Sequence, residues 1–458
     1  MTMTPVDSLS NQFEAAVYRK ITWRLMPFLF LCYVLAYVDR VNVGFAKLEM
    51  QQALGMSDSV YGFGAGVFFV GYFLFEVPAN MMMQKIGARH WIGPIMAGWG
   101  VVSACTFFIK GATGFYILRF LLGIVESGFF PGVILYLTYW YTQRHRARMV
   151  AIFMSAIPIS GIFAGPLSGW VLEKMNGVGH LSSWQWLFLV EGIPSVIAGL
   201  ATLYLLTDRP SKAAWLAEDE KKLVLLRLQE EEEQKSKAGQ SGRHWGDVFQ
   251  SLPVWLLSLA YFGTAAGNYG ITFWLPQVIK ETMTQKFSAI GWISAIPWAV
   301  SVISMVLFAD HSDKTGERRW HMVLAATFGG VAFAASAIPG ISGSAGMAAL
   351  SVAAAALMCQ FAVFWSLPTA ILSGSAAAAG IAWINSLGNL AGQASPYAVG
   401  LIRDYTHSMR PALLLLACAQ MMAALLILLV TKSKTPRISR MFAESKKQNL
   451  WNQGPFSL

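Results

Sequence analysis

Runs of about twenty predominantly apolar residues follow one another along this chain with short polar breaks, and that pattern limits the fold more than any other feature. Each run is long enough to cross ~30 Å of hydrocarbon as a helix. They lie near 21–46, 60–83, 92–110, 115–141, 149–172, 186–207, 252–279, 288–309, 321–339, 346–371, 376–402 and 411–431, the last four diluted by Ala and Gly. The expected fold is therefore an all-α polytopic membrane protein with twelve transmembrane helices. With 55% hydrophobic and 13% charged residues, a water-soluble globule is excluded. The polar N-terminus ends in Arg19 and Lys20, and the apolar run after it is too long for a signal-peptide core, so retention is expected.

The formal charge of +10 is spread in short clusters between the apolar runs, as in cytoplasmic loops, so no nucleic-acid partner is implied. Basic residues mark the N-terminus (Arg19, Lys20, Arg24), the even-numbered connectors (Lys85 and Arg89; Arg144, Arg146 and Arg148; Lys314, Arg318 and Arg319) and the C-terminus (Lys432, Lys434, Arg437, Arg440). The odd-numbered connectors carry few (Lys47, Lys110, Lys174, Lys280, Lys286, Arg403, Arg410), and the positive-inside rule then places both termini in the cytoplasm. Cys32, Cys105, Cys359 and Cys418 fall in apolar runs without metal-ligand spacing, and all seven histidines lie in connectors or at span ends. No metal or organic cofactor is expected, and a membrane enzyme or receptor would need a nucleophile cluster, a metal or a large exterior domain.

The stretch Ile117–Tyr141 buries two opposite charges in an apolar run. Arg119 and Glu126 are seven residues apart, two helical turns, so both leave the same face with Gly123 between them. A charge near the bilayer centre costs ~2.5–3.5 kcal/mol on insertion scales, so such residues line a cavity, pair across helices or carry protons. A structural ion pair between helices is the alternative.

The one long polar segment, Asp208 to Gln250, with the acidic run Glu230–Glu233 and an expected helix over Ser211–Lys237, reads as a solvated linker. It separates a six-helix bundle over 1–207 from another over 251–431, followed by a tail over 432–458. The halves repeat: Gln84-Lys85-Ile86-Gly87-Ala88-Arg89-His90-Trp91 recurs as Asp313-Lys314-Thr315-Gly316-Glu317-Arg318-Arg319-Trp320, residue 84 to residue 313, an offset of 229. Glycine permits a tight turn there, and the cations meet helix C-termini and nearby acids.

The Asp-Lys-x-Gly-x-Arg-Arg loop at 313–319 resembles the signature loop of the major facilitator superfamily, with 84–90 a degenerate copy in which Gln84 replaces the acid. Tyr37-Val38-Asp39-Arg40-Val41-Asn42, Gly71-Tyr72-Phe73-Leu74-Phe75-Glu76-Val77-Pro78-Ala79-Asn80 and Trp184-Gln185-Trp186-Leu187-Phe188-Leu189-Val190-Glu191-Gly192, with the Arg119 and Glu126 helix, resemble its anion:cation symporter family, in particular the bacterial tartrate, phthalate and hydroxyphenylacetate permeases. The resemblance implies two pseudo-symmetric six-helix bundles and import of organic carboxylates with protons. It implies Asp39 and Glu126 as proton carriers, Arg40 and Arg119 as their partners or anion contacts, and Tyr37 and Tyr72 as cavity residues. Lys85, Gly87, Arg89, Asp313, Gly316 and Arg318 would form the gating loops.

The residues themselves suggest a similar division. The deep ionisable groups Asp39, Arg40, Glu76, Arg119 and Glu126 all lie in the first half. The second half offers neutral groups that hydrogen-bond a ligand or pack helices: Asn268 and Tyr269, Gln360 and Trp365, and Asn385, Asn389 and Gln393. The 229 offset places Asn268 opposite Asp39. Glu76 is expected to pair with Arg144, Arg146 or Arg148, and Glu191 to cap or pair locally near the outer surface. Gly161-Ile162-Phe163-Ala164-Gly165-Pro166-Leu167-Ser168-Gly169 resembles a pattern of proton-coupled drug antiporters, although small residues four apart also mark helix contacts. The expected function is proton symport of a small organic anion by a monomer in a bacterial inner membrane, with export by antiport as the alternative.

Overall fold

The computed structural model describes residues 5–237, 251–371 and 375–432, and no strand occurs among them. In the first half, helices α1 (Pro5–Ala53), α2 (Asp58–Ile86), α3 (Ala88–Cys105), α4 (Ala112–Glu126), α5 (Phe129–Thr138), α6 (Gln143–Met154), α7 (Ala156–Lys174) and α8 (Ser183–Leu205) precede a polar helix α9 (Glu218–Lys237). The second half holds α10 (Leu252–Thr282), α11 (Phe287–Thr315), α12 (Arg319–Ser336), α13 (Gly343–Phe364), α14 (Ser366–Ile371), α15 (Ser375–Asn389), α16 (Ala391–Thr406) and α17 (Arg410–Lys432). Helices stand at all twelve expected span positions. Among the described residues, nine of these are long and apolar enough to cross a membrane by length and composition alone. The other three are the seventh, ninth and eleventh. In the seventh the polar groups that lower its hydropathy, Asn268 and Tyr269 among them, are buried between helices.

Several spans are not the single rods that hydropathy suggests. The 115–141 run breaks at Ser127–Gly128, the fifth span at Ser155 and the tenth at Trp365. Each break lies three or four residues before a proline, Pro131, Pro158 or Pro368, whose ring opposes the carbonyl four residues back and offers it no N–H. Glu126 is thus the last residue of α4. The first span, conversely, overruns its expected 21–46 limits at both ends.

Packing repeats between the halves. The α3–α8, α2–α4, α1–α8 and α1–α7 pairs recur as α12–α17, α11–α13, α10–α17 and α10–α16, and the halves meet through α7–α11, α2–α16 and α1–α10. Both signature loops turn on a glycine with positive φ, Gly87 at 93° and Gly316 at 69°, a conformation that residues with a Cβ rarely hold. In the second loop Arg318 bonds Ser312 Oγ at 2.7 Å and pairs with Asp313. In the first, Arg89 bonds the Leu203 carbonyl, and its amide donates to Asp208 at 3.2 Å.

The α7–α11 crossing depends on small residues. A Cβ on Gly165 would lie 2.5 Å from the Gly291 carbonyl oxygen, and one on Gly169 2.5 Å from that of Phe287. The 161–169 glycine pattern thus forms a close helix contact in this chain. Gly165→Val should force the helices apart at an overpacking cost of about 1–3 kcal/mol, seen as a lower melting temperature and a smaller monodisperse fraction in size exclusion. Wild-type values for both would refute this packing.

The linker is not merely solvated. Glu220 accepts from Lys20 at 2.6 Å, Arg227 meets Glu14 at 2.8 Å, and Arg146 meets Glu231 at 3.9 Å, while Val224 is buried and Trp215 stacks on Trp140. Burial raises the Glu220 carboxyl, but hydrogen bonds from Lys20 and the Ala217 amide outweigh it and hold the group below its ordinary range. This face of the molecule, which also carries both signature loops, is the linker side. Residues 238–250 and the tail from 433 lie outside the described residues.

Candidate functional site

About three-quarters of the way along α1, Arg40 turns into the space between the halves. Its Nε donates to Glu126 Oε1 at 3.1 Å, and a terminal nitrogen closes an ion pair with the same oxygen. The guanidinium lies over three aromatic rings, 4.9 Å from Tyr37, 5.2 Å from Phe68 and 5.7 Å from Tyr72. From the second half Tyr269 packs on Phe69 at 4.3 Å between ring centres. Glu126 is 1% exposed, and its Oε2 has no hydrogen-bond partner.

Arg119 shares this face of α4, as its spacing from Glu126 requires, yet it does not pair with that residue. It donates to the Ala65 carbonyl at 3.2 Å and lies 5.2 Å from the Phe68 ring. Its Nε and Nη1 make no hydrogen bond, although the residue is 1% exposed. Arg119 thus reaches Glu126 only through space and keeps two buried donors without acceptors. Unfilled donors on a buried cation suit an anion with oxygen acceptors.

Other expected residues are distributed around this centre. Asn268 borders a neighbouring cavity lined also by Tyr37, Phe45, Ser160, Ser294 and Trp298, and its Oδ1 is buried without a partner. Asn385 meets Glu76 at 3.5 Å, so Glu76 faces the second half, while Arg146 of its expected cations is occupied by Glu231. Trp365 lies against Tyr261, 5.0 Å between ring centres, and Asn389 is half-buried one turn beyond Asn385. Gln360 bonds Thr264 and Gln420, each at 2.8 Å, which is helix packing. Asp39, although next to Arg40 in sequence, turns away from the pair toward α3 and α8 and accepts from Trp99, Ser103 and Ser195. Glu191 is not near the surface: it is 2% exposed, two turns inside α8, and accepts from Ser168 at 2.7 Å.

The sequence reading missed a second charged cluster, on the side opposite the linker. Lys47 and Arg403, expected in connectors, lie inside α1 and α16. Asp58 sits between them, 2.9 Å from each, and Arg403 also grips Glu281 at 2.7 Å. The Lys47 side chain is fully buried, 4.5 Å from the Trp274 ring centre. The Asp58 and Ser59 amides both donate to Asp404 at 2.9 Å, and Tyr61 reaches the Phe273 carbonyl at 3.3 Å. Of these contacts, Asp58 with Arg403, Asp404 with the Asp58 and Ser59 amides, Tyr61 with Phe273 and Lys47 with Trp274 join the two halves and close this side of the molecule. One signal was available: Lys47 lies seven residues beyond Arg40, the same two-turn spacing that joins Arg119 to Glu126.

The family model of the Major Facilitator Superfamily matches residues 29–396. A putative tartrate transporter of Agrobacterium vitis is 46% identical over 93% of both chains. A quinolone resistance transporter of Acinetobacter baumannii is 39% identical over 91% of this chain and 95% of its own. Among solved structures, a bacterial homolog of the human lysosomal transporter Spinster, in an inward-facing and occupied conformation, superposes with a TM-score of 0.73 over 90% of this chain and 97% of that one, at 16% identity. With paired helix bundles meeting at a buried charge cluster and a family match over most of its length, this chain is a multi-pass membrane transporter of the major facilitator superfamily, and not an enzyme.

Proposed function

We propose that the chain imports a small organic anion, a carboxylate such as a hydroxy or aromatic acid, in symport with protons. The observation that carries this reading is the buried Arg119, whose Nε and Nη1 lack acceptors, on the helix face it shares with the Glu126 that Arg40 holds. An anion entering there competes with Glu126 for Arg40, and a carboxylate released in a dry cavity binds a proton. Substrate and proton then bind cooperatively. Moving one negative charge inward against 100 mV costs ~2.3 kcal/mol, which one accompanying proton removes. Tyr37, Tyr72, Asn268, Tyr269, Trp365, Asn385 and Asn389 would contact the substrate body, and the two signature loops would gate the linker side. In this reading the chain works as a monomer in a bacterial inner membrane with both termini in the cytoplasm, alternating access between the halves.

In proteoliposomes, an inward proton gradient should drive accumulation of a hydroxy acid such as tartrate. Glu126→Gln should lose that accumulation while still exchanging substrate, and wild-type accumulation by this variant would remove Glu126 from the coupling. The similarity to a quinolone resistance transporter favours a second reading, export by antiport. Opposite gradient directions separate the two, because an antiporter concentrates a quinolone in acid-inside vesicles and does not accumulate the acid.

A further inference from the structure

A polar cluster lies inside the first half, away from the Arg40 and Glu126 pair. Asp39 and Asn42 lie one turn apart on α1, and Glu191 and Ser195 one turn apart on α8. Trp99 and Ser103 on α3 and Ser168 on α7 complete it. Asp39, Asn42 and Glu191 are each at least 98% buried. The Asn42 amide faces the Glu191 carboxyl, and Asp39 is close enough to act on it electrostatically. Arg119 and Glu126 of α4 reach Asp39 only through space. Among the described residues, α8 carries no other ionisable side chain deep in its span, those of α3 are Arg89 and His90 at the linker end and the Cys105 thiol at the other, and those of α7 are Glu173 and Lys174 at the end opposite the linker. On α1, Glu49 lies two turns beyond Asn42 and accepts from Ser183.

Two carboxylates in so dry a space without a cation against them cannot both be ionised. Their hydrogen bonds show where a proton belongs. Asp39 accepts from Ser103 at 2.9 Å, Trp99 Nε1 at 3.2 Å and Ser195, a donor set that suits an ionised carboxylate. Glu191 accepts only from Ser168, its Oε2 has no partner, and neither amide atom of Asn42 has one. With the Asn42 amide turned to offer Oδ1, a proton on Oε2 would satisfy both orphan oxygens at once. When that proton leaves, a half-turn of the amide presents its N–H groups to the carboxylate instead.

We propose that Glu191 and Asp39 form a proton-binding unit inside the first half, separate from Arg40 and Glu126, with the proton on Glu191 in the state seen here. Its role in transport rests on the proton-symport reading, whereas its protonation does not. Infrared difference spectroscopy of the full-length protein in lipid at neutral pH tests protonation directly. The carbonyl-stretch band of a protonated carboxylic acid is expected, absent in Glu191→Gln, present in Glu126→Gln, and shifted to higher frequency in Asn42→Leu, which removes its acceptor. If Glu191→Gln does not fold, the Asn42→Leu shift decides. A wild-type spectrum without the band, a band that survives Glu191→Gln, no shift in Asn42→Leu, or loss of the band when sodium replaces choline would each overturn the assignment. In vesicles, the protons carried per substrate should fall by one in Glu191→Gln, and an unchanged ratio would overturn the role in coupling. Failure of the symport reading has a different signature: no proton movement accompanies wild-type uptake, while the infrared result stands.

Discussion

Arg40→Ala is expected to abolish transport and to destabilise the protein by about 3–5 kcal/mol, the range for removing one partner of a buried ion pair. The loss comes less from the missing attraction than from what remains, a Glu126 carboxylate 1% exposed with no cation in hydrogen-bond contact. Adding Glu126→Gln removes the stranded charge, so the double variant should regain most of the stability. It should not regain transport, because the cation that a carboxylate would meet between Tyr37 and Tyr72 is still absent. Tryptophan fluorescence during thermal unfolding in detergent, together with uptake in vesicles, checks both halves of the argument. A single variant that melts with the wild type, or a double no more stable than the single, would show that Arg119 on the same face compensates for the missing Arg40.

The second large effect is expected at Asp58, whose two carboxylate oxygens hold Lys47 of the first half and Arg403 of the second. Asp58→Asn leaves Lys47 buried without its counter-ion and removes one of the grips on Arg403. A loss of about 3 kcal/mol from the closed arrangement alone moves its balance with the opposite state roughly a hundredfold. Spin labels at the exposed positions Gln52 and Tyr405 would report this as a longer distance between the ends of α1 and α16. Lys47→Met in addition to Asp58→Asn should restore part of the short-distance population, since no unpaired cation is then left in the closed state. Identical distance distributions in Asp58→Asn and wild type would show that apolar and backbone contacts, such as Gly400 against Asp58, close this side without the ions.

Hydropathy and one repeated loop made most of the fold legible, because membrane spans need long apolar runs and the halves repeat at a constant offset. Breaks within spans were less visible. Pro131, Pro158 and Pro368 mark three of them, whereas the break at Leu390 in the eleventh span has no proline within four residues. Pro27, Pro78, Pro94 and Pro194 lie inside unbroken helices, so proline alone does not decide. The Arg40, Glu126, Tyr37, Tyr72 and Tyr269 centre was legible because charges in apolar runs are rare enough to stand out. Which charge meets which was not. The seven-residue spacing put Arg119 beside Glu126 on one face, whereas the partner of Glu126 comes from α1 across the bundle. Lys47 and Arg403 were hidden for the opposite reason: near span ends, a buried cation and a solvated one look alike in sequence.

Helix α1 continues unbroken through Pro27, and its stretch from Gln12 to Ala53 counts 42 residues. At ~1.5 Å per residue that is ~63 Å, about twice the hydrocarbon thickness. Glu14 and Lys20 near one end are tied to α9, Arg40 stands partway along, and Lys47 near the other end is clasped by Asp58. A stiff shaft anchored at three heights cannot tilt at one face alone. Were it to turn about the Arg40 region, its two ends would swing in opposite directions, and the α9 contacts at one end would be coupled to Lys47 at the other.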